Sequence, residues 1–330
     1  MSTFKVARGS TASRVFAVTL LAATVVMATM PSWAEGGTQR KMVELFTLIS
    51  MAQMWNLLAG FAGVVSVGQQ AFIGLGAYSM VALVNVHGQN VYAAIPMSAV
   101  LTAIFSIPIA LIAFRLRGSY FAIGTWVLAD VVSLIMQQQN SLGAGNGISI
   151  KVSGDALERL KIIYWLALGL AIGAIVLTYA VLRSRLGLQM QAIRDNEGGA
   201  KGLGANVYRT RFVAWVIAAF WIGLTGAVFY LANLRVQPKD SFSVVNWTAP
   251  IVVIVVIGGI GTIEGPIIGA LLYYFMRDYF KDYETWYLIG SGVAAILAAL
   301  YMQPGIWGYV RRRWGIDLFP IRRRLVRAEE

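Results

Sequence analysis

RSRLGLQMQAIRDNEGGAKGLGANVYRTR, Arg183 to Arg211, is the longest polar interruption in a chain that is otherwise mostly apolar. It carries six Lys/Arg and two acids, and it separates two long hydrophobic runs. Leu186, Met190 and Ile193 fall on one face at helical spacing, with Glu197 continuing the line. The spacing predicts a short helix that Gly198, Gly199, Gly202 and Gly204 then break. A short helix pinned between apolar runs is a place where something outside a bilayer could push on what lies inside.

The runs on either side set the class. Of 330 residues, 58% are hydrophobic and only 13% charged, with a mean hydropathy of +0.67. A soluble protein is usually about 25% charged. Several uncharged runs approach the ~20 residues that cross a bilayer as helix. The expected fold is all-α and integral to the membrane, with about ten transmembrane helices, some of them short or broken. The net charge of +12 is carried by loops beside the runs, as the positive-inside rule describes, so no nucleic-acid partner is expected. The chain has no cysteine and a single histidine, His87, in a short loop. No metal site or histidine-dependent chemistry follows from that set.

Ten spans can be drawn. Val15 to Trp33 follows Lys5, Arg8 and Arg14 and reads as a retained first span; a cleaved signal ending near Ala34 is the alternative. Spans are then expected at about Met42 to Ala59, Gln70 to Val86, Val91 to Phe114, Ser119 to Gln137, Ile162 to Leu182 and Phe212 to Leu231. Val244 to Met276 is too long for one span, and its middle reads GGIGTIEGP. Glycines, an acid and a proline there predict two shorter spans meeting at a break. The last span is expected at Trp286 to Met302. With ten spans and the amino terminus inside, inner segments collect 18 of the 27 Lys/Arg, and the arginine-rich tail lies inside. A single span over Val244 to Met276 would put that tail outside, against the bias. The chain thus divides into a basic segment with the first span (1–34), a transmembrane body (35–310) holding the loop 183–211, and a basic tail (311–330).

Several residues stand out as candidates. Asp130 lies inside an apolar run, where a charge costs roughly 2.5–3.5 kcal/mol, so it needs a cavity or a partner. Pathway or gating and plain packing are both open to it. Glu264 shares the broken segment. Asn56, Ser66, Gln69 and Gln70 put amides and a hydroxyl near the second and third spans, for interhelical hydrogen bonds or for contact with a polar zwitterionic solute. Gly261, Gly265 and Gly269 recur every four residues, a spacing that lets helices approach closely. The loop Asn140 to Gly147 is flexible by composition, a connector or a docking surface. There is no GxxxxGK[ST] phosphate loop, so the chain carries no P-loop ATPase site of its own.

The ordered set WNLLAGFAGVVSVGQQAFIGLGAY (Trp55 to Tyr78), RGSYFAIGTWVLAD (Arg117 to Asp130), SRLGLQMQAIRDNEGGAKGLGANVYRTRFVAW (Ser184 to Trp215), IGLTGAVFY (Ile222 to Tyr230), GGIGTIEGPIIGALL (Gly258 to Leu272) and QPGIWG (Gln303 to Gly308) resembles the permease subunits of branched-chain amino acid ABC importers. The resemblance implies an importer-permease fold in the bacterial inner membrane, with the carboxyl terminus cytoplasmic. It implies four kinds of neighbour: a second homologous permease, two cytoplasmic ATPase subunits, a periplasmic substrate-binding protein, and membrane lipid. Cofactors are expected only in the ATPase partners, as ATP and magnesium. Gly187 to about Gly204 would be the coupling helix, with Ala192, Arg194, Asp195, Asn196 and Glu197 touching the ATPase and Gly204 as the docking-motif glycine. Asp130 matches an acidic position after the YFA segment. Two departures stand out. Gly198 and Gly199 replace alanines, which weakens a helix by about 1 kcal/mol each and predicts an early end, and the outer loop reads GAGNG. The competing expectations are a stand-alone secondary transporter or channel, which needs ionisable residues in the spans, and a membrane enzyme, which the lack of paired acids disfavours.

Overall fold

The computed structural model describes residues 4–7, 11–152, 154–280, 305–315, 318–320 and 324–327, with 289, 290, 292, 293, 296, 297, 300 and 301. Helices dominate. They are α1 (Thr11–Thr29), α2 (Gly36–Asn56), α3 (Gln69–Val81), α4 (Val91–Ala113), α5 (Ser119–Gln137), α6 (Ala156–Arg183), α7 (Arg185–Asp195), α8 (Glu197–Gly202), α9 (Val207–Asn233), α10 (Pro238–Ser241), α11 (Ala249–Gly258), α12 (Glu264–Tyr279) and α13 (Gly305–Trp314). Asparagines cap two of the long helices. Asn90 Oδ1 accepts from Tyr92 N at 2.9 Å, and Asn206 Oδ1 from Arg209 N at 2.9 Å, satisfying otherwise orphaned amides.

The bundle is built around α9, which packs on α3, α4, α2 and α6. Small residues make that possible. Ala214, Ala218, Ala219 and Gly223 are buried along α9, and a Cβ on Gly223 would sit 2.6 Å from Thr102 Cβ on α4. Lipid chains are as apolar as leucine, so such helices associate through close van der Waals contact rather than through a hydrophobic drive. Trp215 then fills the space between α9, α3 and α4, edge-on to Phe72 at 5.2 Å, and its Nε1 donates to Ser106 O at 3.2 Å.

Among the described residues, five helices are long and apolar enough to cross a membrane: α2 with its extension to Phe61, α4, α5, α6 and α9. The other expected spans are either interrupted or lie partly outside the residues whose side chains are described, as the first does before Val18. The segment Gln69 to Val86 is a 13-residue α-helix followed by a π-helical turn, Ala82–Val86. The run from Val244 begins with a π-helical turn, Val244–Thr248, before α11. It stops at Gly258 and resumes at Glu264, as the GGIGTIEGP reading requires. The last expected span, Trp286 to Met302, falls largely outside the described residues.

The break between α11 and α12 lies at the same end of the bundle as α7 and α8. At the opposite end, β2 (Ile148–Ser149) pairs antiparallel with β3 (Arg235–Val236), with Ile148 opposite Val236. The glycine-rich loop before it, read as flexible, is instead two 3-10 turns held to α9 through this pairing. Asn85 closes it, donating to Ser149 O and accepting from Lys151 N, both at 2.9 Å. The chain ends also meet: β1 (Phe4–Ala7) pairs antiparallel with β4 (Arg324–Arg327).

Candidate functional site

The polar loop folds into two short helices. Ser184 starts α7: its Oγ accepts from Gly187 N at 3.4 Å. Met190 and Ile193 are buried and Leu186 packs at the edge of the core, so the apolar face lies where the spacing placed it. Glu197 is not on that helix. The chain turns at Asn196, whose backbone is extended and whose Oδ1 accepts from Gly199 N at 2.9 Å to cap α8. The helix ends early because of this asparagine cap. Gly198, Gly199 and Gly202 lie inside the second helix rather than terminating the first. Gly204 follows with φ +85°, a backbone region that side chains other than glycine rarely adopt.

Three links fasten this unit to the spans. Thr210 Oγ1 donates to Gln189 Oε1 at 3.1 Å. Glu197 accepts from Lys201 Nζ at 2.7 Å within α8 and from Arg211 Nη1 at 3.0 Å on α9. The Lys201 hydrogen bond, aided by the charge of Arg211, holds the Glu197 carboxyl below its ordinary value against a smaller opposing effect of burial. The third link is Arg194, whose Nη1 donates to Gly60 O at 2.7 Å, at the far end of α2. Its Nε and Nη2 hold Asp195 Oδ1 at 2.9 and 2.8 Å.

The unit presents one face away from the bundle. Of the residues expected there, Ala192, Arg194, Asp195, Asn196 and Gly204 are exposed, and Glu197 is half-buried against Arg211. Two leucines join them: Leu188 is 66% exposed and Leu203 91% exposed. The signal for them was their apolar character in a polar loop, Leu188 standing four residues before Ala192. Beside the loop is a cavity of about 1000 Å³, between the α4–α5 turn and the start of α9. Arg117, Lys201 and Arg211 line it, with Glu197, Phe121 and Tyr208.

The membrane candidates separate into distinct roles. Asn56 is fully buried and pairs wholly with the α11–α12 break: Nδ2 donates to Thr262 O at 2.7 Å, and Oδ1 accepts from Gly261 N at 2.8 Å. Ser66 shapes the turn before α3, its Oγ accepting from Gly68 N at 3.2 Å. Gln70 accepts from Thr248 Oγ1 at the start of α11. The Gln69 amide is buried with no hydrogen-bond partner among the described residues. Glu264 is buried, and its Oε1 accepts from Phe319 N at 3.1 Å, tying the segment after α13 to the break. Asp130 is exposed on the outer surface of α5. Gly261 turns the break with φ +75°, while Gly265 and Gly269 let α12 lie directly on the backbone of α11.

Residues 40–302 match the family described as branched-chain amino acid transport system / permease component. The chain belongs to that family. Among curated members of the permease family, it is 24% identical over 279 residues to the high-affinity branched-chain amino acid transport system permease protein LivM of Salmonella typhimurium. It is 25% identical over 279 residues to LivM of Escherichia coli. Each alignment covers 76% of this chain and 65% of the relative, so the chain spans just under two thirds of their length. A probable LivM of Methanocaldococcus jannaschii is 26% identical over 200 residues, covering 58% of this chain and 56% of that one. Among solved structures, PsaBC from Streptococcus pneumoniae in complex with Fab superposes with a TM-score of 0.45 at 11% identity, covering 88% of this chain and 99% of that one. That superposition is too loose to show a common fold. Family membership and the apolar helices make this a multi-pass membrane protein.

Proposed function

We propose that this chain is the translocating subunit of an ATP-driven importer that carries branched-chain amino acids or related small polar solutes inward. It does no chemistry itself. A second homologous permease completes the pathway, and two cytoplasmic ATPase subunits supply the work with their own ATP and magnesium. A periplasmic binding protein delivers the solute. In this reading the chain sits in the bacterial inner membrane with its carboxyl terminus cytoplasmic. The β1–β4 pairing supports that placement, because it puts both basic ends on one side.

The observation that carries the reading is the α7–α8 unit. It offers two strongly exposed leucines, Leu188 and Leu203, and is fastened to α9 and α2. Apolar residues left open on a rigid platform mark an interaction surface. The stand-alone transporter is less well served. Asp130 faces outward from α5, and Glu264 is occupied by the Phe319 amide, so neither is set for ion coupling.

Co-expressing the chain with its genomic neighbours tests this. The wild-type chain is expected to co-purify with an ATPase subunit and to import in proteoliposomes only with ATP inside the cytoplasmic-side lumen. Leu203→Asp is expected to cut ATPase co-purification by at least about tenfold, the loss of one apolar anchor. Uptake driven by an ion gradient without any ATPase would end the importer reading.

A further inference from the structure

The side chain of Arg194 keeps part of its surface exposed, yet its Nη1 reaches back to the Gly60 carbonyl at 2.7 Å. Gly60, whose carbonyl it binds, lies in the π-helical turn Leu57–Phe61 that closes α2. Carbonyls in a last turn have no partner within the helix, so this oxygen is available to a cation. A Cβ on Gly261 would lie 3.2 Å from Gly60 O and 3.3 Å from Arg194 Nη1. The guanidinium therefore sits where the end of α2 touches the α11–α12 break. One turn back, Asn56 holds Gly261 and Thr262, and Gln53 Nε2 donates to Ile263 O at 2.5 Å. The two interrupted helices are one hydrogen-bonded body, and Arg194 is its connection to α7.

We infer that Arg194 is a positioning residue for coupling: it acts as a strut that makes α7, the end of α2 and the α11–α12 break move together, and it does not contact the ATPase. The inference rests on the importer reading of the α7–α8 unit. The fork geometry explains the residue type. A guanidinium reaches Gly60 O while its other nitrogens stay on Asp195, and a lysine has one nitrogen for both tasks. Glycine at 60 and 261 follows, since a side chain at either would push the two breaks apart.

The test uses the complete complex with its ATPase and binding-protein partners in proteoliposomes. For Arg194→Ala, the ATPase subunit stays bound and ATP hydrolysis continues, while solute moved per ATP falls roughly 5- to 150-fold, the range of one lost coupling interaction. Arg194→Lys falls between, with an unchanged unfolding midpoint. Loss of ATPase co-purification in either variant, or transport per ATP unchanged in both, overturns the strut. A second measurement needs no change at 194. The chain lacks cysteine, so spin labels go on Gln191→Cys and Ile260→Cys alone. Their separation should stay fixed between ATP-free and ATP-bound complexes, and a shift between the two overturns the inference. A wild-type chain that binds no ATPase subunit removes the importer reading instead, which the co-purification arm reports separately.

Discussion

Glu197 shows how much one side chain can say. Its carboxylate pairs with Lys201 one turn on and with Arg211 across the loop, at 2.7 and 3.0 Å. The lowered carboxyl fixes the sign of the pH effect. The pairing stabilises fully above the ordinary value of 4.5 and is lost as pH falls through the lower folded value. The side chain is 42% exposed, so solvent screening keeps the contribution to about 0.2–1 kcal/mol. Glu197→Gln should melt slightly below the wild type at neutral pH, and the gap should close in acid. Thermal unfolding of the purified chain at both pH values checks this; a gap unchanged in acid would remove the pairing as its cause. The residue scale is also where the sequence was least legible. The resemblance offered Arg194 and Glu197 as ATPase contacts, and neither charge nor spacing shows that both also fasten the loop to the spans. Nothing in the spacing could show that a carbonyl 134 positions away in the chain lay within reach of Arg194.

At the scale of elements, the long spans were legible because length and hydropathy suffice for them. α5 runs over the residues expected, Ser119 to Gln137. The interruption after Gly258 was legible too, from glycine, acid and proline in an apolar run. The π-helical turns were not, since one extra residue per turn leaves hydropathy unchanged and only shifts the phase. The end of α7 was misread for a definite reason: the glycines looked like breakers, while Asn196 supplied the cap. Two alanine substitutions separate these kinds of glycine. Gly269→Ala places a Cβ against the Ile254 carbonyl, forcing α11 and α12 apart, and should cost about 1–3 kcal/mol as overpacking. Gly202→Ala meets nothing within 4 Å and should stabilise α8 by up to about 1 kcal/mol. Melting midpoints in detergent should therefore move in opposite directions, and a harmless Gly269→Ala would mean that α11 and α12 are not in backbone contact.

For the whole molecule, the uneven burial of the spans points to what surrounds it. Of the five long apolar helices, α2 has 89% of its window buried and α5 only 22%. An apolar surface on a membrane helix can face lipid at no cost, so exposure alone decides nothing. Asp130 decides it, because it lies among exposed Val127, Val131 and Leu134, and a charge facing hydrocarbon costs about 2.5–3.5 kcal/mol. A face that carries this cost in isolation gains by being covered, and the proposed second permease is the partner positioned within the bilayer to cover it. Asp130→Leu then has opposite effects on two measurements. The isolated chain loses its exposed charge and should unfold no more easily in bilayers than the wild type. Pairing with the second permease should weaken by at least about tenfold, since a hydrogen bond to a charged group contributes roughly 1.5–3 kcal/mol. Subunit exchange between differently labelled permeases reads the second effect directly. Unchanged exchange, with the isolated chain stabilised, would leave Asp130 facing lipid rather than at a subunit contact.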